Sequence, residues 1–224
     1  MKNMGKRFLL GISCLMLVGA FSGCATNRAT VQVRIPTENV IAESNGEKIF
    51  IDTVFDQRQF QDNPPEANIP SLGFGGVGAA SEDIKKRAVA RKRNSYGKAL
   101  GDILLEEGQT VEGVVRGALE RAFLEMGYEV IDVNDGDSIV LDAEIDQFWA
   151  YVRSGFWTIA LTLEVETKLL ATMPNGDQNK DISVKYERKF QTATEGNWMK
   201  AIDGGVQKFI DTVKEEVMAD GSWN

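Results

Sequence analysis

Between residues 110 and 127, apolar side chains return at three- and four-residue steps: Val111, Val114, Val115, Ala118, Leu119, Ala122 and Met126. That spacing lays them along one stripe of a helix. Thr110 is placed to cap its start and Gly127 to close its end. A second helix is predicted from about 195 to 218, capped by Thr194, with Trp198, Ile202, Val206, Phe209, Val213 and Val217 on its apolar side. Each helix has a single apolar face, so each should lie on a sheet.

The strands follow a period of two. Residues 49–55 form a β-rich run that ends at Asp56-Gln57-Arg58, and 128–133 form another, ended by Asn134-Asp135-Gly136-Asp137. Residues 139–152 and 158–172 alternate apolar with polar and read as a long hairpin. Opposed residues must share a face. A three-residue loop, Ser154-Gly155-Phe156, meets that condition by setting Asp146 against Glu164, Glu144 against Glu166 and Ile145 against Val165. Trp149 and Tyr151 then lie on the core side and Phe148 on the other. A further strand is predicted over 181–191, with Ile182, Val184, Tyr186 and Phe190 inward. This order predicts a two-layer α+β sandwich, an antiparallel sheet with two helices on one face.

Other stretches lack such patterning. Residues 59–95 read as an irregular excursion, because 59–80 hold Pro64, Pro65, Pro70 and four glycines with few large apolar residues. The glycines 73, 75, 76 and 78 do not make a phosphate loop, since no strand leads into them and no Gly-Lys-Ser/Thr closes them. Residues 24–45 read as a tether carrying one short strand at Val31, Val33 and Ile35. The body, 46–224, is then a single α+β domain.

The first 23 residues have a different character. Lys2, Lys6 and Arg7 precede an apolar run of about 14 residues, the layout of a secretory signal and shorter than the roughly 20 residues of a spanning helix. Phe21-Ser22-Gly23-Cys24 resembles the bacterial lipobox, in which the cysteine is acylated and becomes the new N-terminus. Lipidation is therefore expected at Cys24, with the membrane as a partner through that anchor. Ala25 in place of an aspartate favours, by resemblance to Gram-negative sorting, the outer membrane and its periplasmic face. Loss of the signal removes three positive charges and no acid, taking the formal balance from −8 to −11. Nucleic acid is not expected as a partner of so acidic a body.

The chain has no histidine, which excludes a Ser-His-Asp triad, a Cys-His pair and a His-based zinc site. Carboxylates are the abundant alternative. Asp142, Glu144, Asp146, Glu164 and Glu166 gather on one face of the predicted hairpin, where facing acids could act as acid and base or hold Ca²⁺. Lys185 and Lys189 point to the same face and favour a solvated, partly neutralised surface. No catalytic residue, metal site or cofactor is therefore expected. Lys85, Lys86, Arg87, Arg91, Lys92, Arg93 and Lys98 form a run with no acid inside it, in a segment that reads as lying outside the patterned core. Such a block suits an anionic partner or the chain's own acidic surface. Phe156 and Trp157, with Phe148, Trp149 and Tyr151, concentrate aromatics near the hairpin tip, as a grip on a partner or as packing against the excursion.

The lipobox at Cys24, Asp56-Gln57-Arg58 after the first strand, Met126-Gly127-Tyr128 closing a helix, and Phe190-Gln191 before the last turn together resemble the uncharacterised bacterial lipoprotein family typified by YajG. The resemblance covers most of residues 46–219 and implies an envelope lipoprotein without assigned activity or catalytic residues. The expected function is a non-enzymatic binding or accessory module of an envelope assembly or transport system, meeting an envelope protein or anionic envelope component. A carboxylate-based hydrolase of cell-wall glycan and a structural subunit of an envelope complex are the alternatives.

Overall fold

In the computed structural model, residues 28–36, 40–94, 98–220 and 223 are described. The predicted signal and Cys24 lie outside them. The described elements follow as β1 (Ala29–Val31), β2 (Lys48–Asp56), α1 (Glu82–Arg87), β3 (Ala88–Arg93), β4 (Ala99–Leu105), α2 (Val111–Glu125), β5 (Glu129–Ile131), β6 (Ile139–Ser154), β7 (Ile159–Thr172), β8 (Gln178–Phe190) and α3 (Glu195–Asp220). The class is α+β, as the pattern predicts.

The sheet is mixed, which corrects the antiparallel expectation. β6 pairs antiparallel with β7 along nearly its whole length, and β7 with β8. The other edge of β6 is shared. Its first part takes β2 in parallel, from Ile49 opposite Ile139 to Asp56 opposite Ile145, and further along it meets β3, also parallel, at Ala90 opposite Ala150. β5 lies parallel outside β2, while β4 runs antiparallel to β3 and β1 parallel to β4. Side-chain alternation records which face a residue occupies and not which way the neighbouring strand runs, so the long connection between β2 and β6 left the direction open.

A bulge between Ile145 and Gln147 in β6 sets the faces. Leu141, Ala143 and Ile145 point to the helices before it, and Phe148, Ala150 and Val152 point there after it. The extra residue moves the alternation by one place. Trp149 and Tyr151 therefore lie on the opposite face with Leu72, Ala88 and Leu104, the reverse of the sequence assignment. The tip is a four-residue loop, 155–158, closed by the Gly155 N–H donating to the Thr158 carbonyl at 2.9 Å. Glu144 consequently faces Lys168, Gln147 faces Glu166 and Trp149 faces Glu164, in place of the predicted register.

The helix face is a complete core. Thr110 caps α2 by accepting from the Gly113 N–H (3.1 Å), and Thr194 caps α3 by accepting from the Asn197 N–H (3.3 Å). Gly127 ends α2 at φ 87°, where a Cβ would meet the Glu43 carbonyl oxygen at 2.1 Å. Gly204 and Gly205 let α3 settle onto β7 and β8: a Cβ at Gly205 would lie 2.5 Å from Leu163 Cδ2. Lys214 of α3 and Arg121 of α2 both bind Glu125 and tie the helices together.

The second face is covered by chain without regular structure. Phe60 stands edge-on to Trp149, whose Nε1 donates to the Ala67 carbonyl (3.3 Å), and Gln147 donates to Asn68 (2.7 Å). Packing of the aromatics against the excursion thus holds for Trp149 and Tyr151. The excursion stays irregular only to about residue 80, apart from one 3-10 turn at Val77–Ala79. Ser81 then caps α1, which runs directly into β3. The short strand expected near Val31 is β1 at the sheet edge, and Val33 beyond it is held by the Gln109 side chain at both its N–H (3.2 Å) and carbonyl (2.6 Å).

Candidate anion-binding site

The basic run is divided by the structure. Lys85 pairs with Glu82 (2.7 Å) and Lys86 with Glu112 (3.8 Å). Arg87 is buried between Asp83 (3.0 Å) and the Leu105 carbonyl, which accepts from both Nε (3.0 Å) and Nη2 (2.9 Å). Arg87 thus belongs to the scaffold, while Lys85 and Lys86 are held in surface ion pairs. β3 is an inner strand of the sheet, so Arg91, Lys92 and Arg93 do not lie outside the patterned core as the sequence suggested. The reason is local: Ala88, Val89 and Ala90 are buried, and the cations that follow alternate between faces.

Arg91 and Arg93 point to the loop-covered face and Lys92 to the helix face. With Lys98, just before β4, the two arginines line one side of a cleft of about 590 Å³ whose other wall is Asn63, Pro64 and Pro65. Among the described residues, no carboxylate lines it. Arg93 is anchored there, its Nη2 donating to the Pro64 (3.0 Å) and Glu66 (3.4 Å) carbonyls, while its Nε has no partner. Burial, and then the neighbouring Arg91 charge, push Arg93 below the ordinary arginine value.

Arg91 is the unusual member. It is 8% exposed, its Nε has no acceptor, and among the described residues it makes no side-chain hydrogen bond or ion pair. Asp102 sits opposite it in the β3–β4 ladder. That carboxylate is already occupied, accepting from Arg28 Nε (3.3 Å) and the Gly73 N–H (2.9 Å). The cost of burial without an acceptor falls on Nε, while the two Nη groups open into the cleft. An anion in the cleft would supply the missing acceptor, most effectively a planar or tetrahedral oxyanion matched to the guanidinium fork.

On the helix face, a second cleft of about 580 Å³ lies between Lys92, Val152 and the start of α3. Arg93 borders it as well, and its own carboxylate, Glu195, offsets one of these two cations, so its positive excess is smaller than that of the first. The acidic face of the hairpin does not form the facing pairs predicted for it. Asp142 accepts from the Thr53 N–H (3.0 Å), Glu144 faces Lys168, and Glu164 binds both Lys185 (2.7 Å) and the Tyr151 hydroxyl (2.7 Å). Burial alone would raise Glu164, but the hydrogen bonds from Lys185 and Tyr151 outweigh it and hold the carboxyl below its ordinary value. Phe156 and Trp157 stand free at the hairpin tip, 90% and 82% exposed, ring edge to ring face at 4.8 Å. Cys24 lies outside the described residues.

Sequence reading passed over Arg58 as a side chain with a role of its own, although it noted the motif that holds it. Arg58 fills the fork where β6 loses β2 and has not yet gained β3. Its guanidinium binds Asp56 with two bonds of 2.8 Å and donates to the carbonyls of Ala88 (2.6 Å), Phe148 (3.0 Å) and Lys85 (3.0 Å). An arginine directly after a strand, two residues past an aspartate, was the available signal.

No protein-family model and no curated protein matches the chain. Among solved structures it is similar to protein XCC0632 from Xanthomonas campestris, of the DUF330 family model, at TM-score 0.49 and 11% identity, covering 87% of this chain and 97% of that one. It is also similar to lipoprotein GNA1162 from Neisseria meningitidis, at TM-score 0.30 and 8% identity, covering 74% and 99%. An uncharacterized protein matches at TM-score 0.47 and 11% identity, covering 85% and 99%. Among the described residues, no helix is long and apolar enough to cross a membrane.

Proposed function

We propose that this protein is an exported lipoprotein, acylated on Cys24 and held at the periplasmic face of the outer membrane, that acts without catalysis as a binding module of an envelope assembly or transport system. Its partner presents an anionic group to the cleft of Arg91, Arg93 and Lys98. The observation that carries the binding role is Arg91, a buried cation with no acceptor beside two further cations. The lipobox and the resemblance to YajG-like lipoproteins support the location.

Two variants test the two halves. Cys24→Ser should leave a precursor that is uncleaved or released from the membrane fraction, because the anchor depends on that thiol. A photoreactive crosslinker at Ala99, in the cleft wall, should capture the partner in intact cells and lose it when Arg91→Met is added. Undiminished capture in the double variant would contradict the binding role, and normal processing of Cys24→Ser would contradict the anchor.

A further inference from the structure

The strand directions place the first described residues, Arg28 and β1, toward the end of the sheet that carries the hairpin tip. β6 runs toward the tip, and β3 runs with it. β4 runs back, and β1 is parallel to β4, so β1 begins at the end of the sheet where β6 finishes. The ladder carries Ala29 opposite Ile103, Arg91 opposite Asp102 and Ala90 opposite Ala150. Arg28 therefore lies near the level of Ala150, with Ser154 four residues further along β6, roughly 13 Å at strand rise. Cys24 precedes Arg28 by four residues, which reach at most about 14 Å. A membrane holding Cys24 by its acyl chains thus comes within reach of the tip.

The tip carries the side chains suited to that place. Phe156 and Trp157 expose large apolar rings which, among the described residues, pack only on each other. Arg153 beside them on β6, and Arg188 and Lys189 on β8 opposite Leu161 and Ala160, are exposed cations, with Glu187 and, just past the end of β8, Glu195 the exposed acids at this end. The opposite end of the sheet has the contrary charge: its loops expose Glu106, Glu107, Asp132, Asp135, Asp137 and Asp177. Aromatic rings favour the headgroup level of a bilayer, and basic side chains beside them are drawn to anionic headgroups.

We propose that the Phe156 and Trp157 tip inserts into the headgroup region of the membrane that holds Cys24, with Arg153, Arg188 and Lys189 on anionic headgroups, so that the acidic end faces away. The tip is then a second attachment beside the acyl chains and fixes the domain's orientation. This rests on the lipid anchor proposed above.

Fluorescence tests it directly, because Trp149, Trp198 and Trp223 are fully buried and Trp157 is not. The acylated protein is reconstituted into vesicles of phosphatidylethanolamine and phosphatidylglycerol, with and without lipids brominated near the headgroup. The expected result is bromine quenching that disappears in Trp157→Phe, together with a several-fold loss of iodide quenching relative to the protein in detergent. Co-sedimentation with the vesicles reports the anchor independently. Vesicle-bound protein whose Trp157 stays open to iodide and unquenched by bromine overturns the tip while leaving the anchor. Failure to co-sediment overturns both.

Discussion

Arg58 and Arg91 lie under the same excursion, 6% and 8% exposed, and differ in what surrounds their guanidinium groups. Arg58 donates five hydrogen bonds, two of them to Asp56 and three to backbone carbonyls at the fork of the sheet. Arg91 has its backbone in the β3–β4 ladder and its side chain without an acceptor. Burial is nearly equal, so burial does not separate a scaffold arginine from a binding one. The separating quantity is how much hydrogen-bonding capacity the fold leaves unspent. At Arg58 every face of the group replaces pairing that the strands cannot provide, whereas at Arg91 the capacity points into a cleft.

The largest effect should come from breaking the satisfied member. Arg58→Met strands Asp56 and three carbonyls without their donor, and we expect a loss of about 3–5 kcal/mol in urea unfolding with an unchanged slope. A loss below about 1 kcal/mol would mean that the fork holds without it. A control on the helix face sharpens the contrast. Gly205→Ala presses a methyl group toward Leu163 and should cost about 1–3 kcal/mol, while leaving anion binding at the cleft unchanged. Coupled loss of binding in that variant would show that the two faces are not independent.

The two regions also differed in how far the sequence revealed them. α2, α3, β7 and β8 bury one face each, so their apolar residues recur with a clean period, and their caps at Thr110 and Thr194 stand where the pattern starts. β3 could not be read in this way, because Ala88, Val89 and Ala90 are small and buried and the next three residues are cations. It presented itself as a charge run. The register of β6 on β7 was lost at the tip, where the loop has four residues in place of three, and the face assignment at Asp146, where one bulged residue exchanges the faces of Phe148 and Trp149 without any signal in composition. For the site, the cations were legible and their grouping was not. Which of them converge depends on alternation along β3 and on a wall, Asn63 to Pro65, brought from a distant part of the chain.

A smaller effect comes from a carboxylate that, like Arg58, is fully paired. Burial by itself raises Glu125, and hydrogen bonds from Lys214 and Arg121 overcome this and hold it below its ordinary 4.5. A depressed folded value means that the stabilisation is present above about pH 4.5 and is lost as pH falls through the lower folded-state value. Melting temperature should therefore fall more steeply with acid in the wild type than in Glu125→Gln, the two converging at low pH. Parallel curves would show that the pair contributes nothing to the contact between α2 and α3.

The central claim is that Arg91 is kept unpaired by the fold and paired by an anion. It is tested by melting the wild type and Arg91→Met in rising inorganic phosphate at constant ionic strength, so that screening does not change. A charge-assisted hydrogen bond contributes roughly 1.5–3 kcal/mol, which corresponds to a loss of affinity of about tenfold or more. The account predicts that the wild type is stabilised by phosphate and that Arg91→Met loses this response, while its melting temperature without phosphate is unchanged or higher. An Arg91→Met protein that melts several degrees lower without phosphate, yet responds to phosphate as the wild type does, would place Arg91 in the scaffold beside Arg58 and contradict the account.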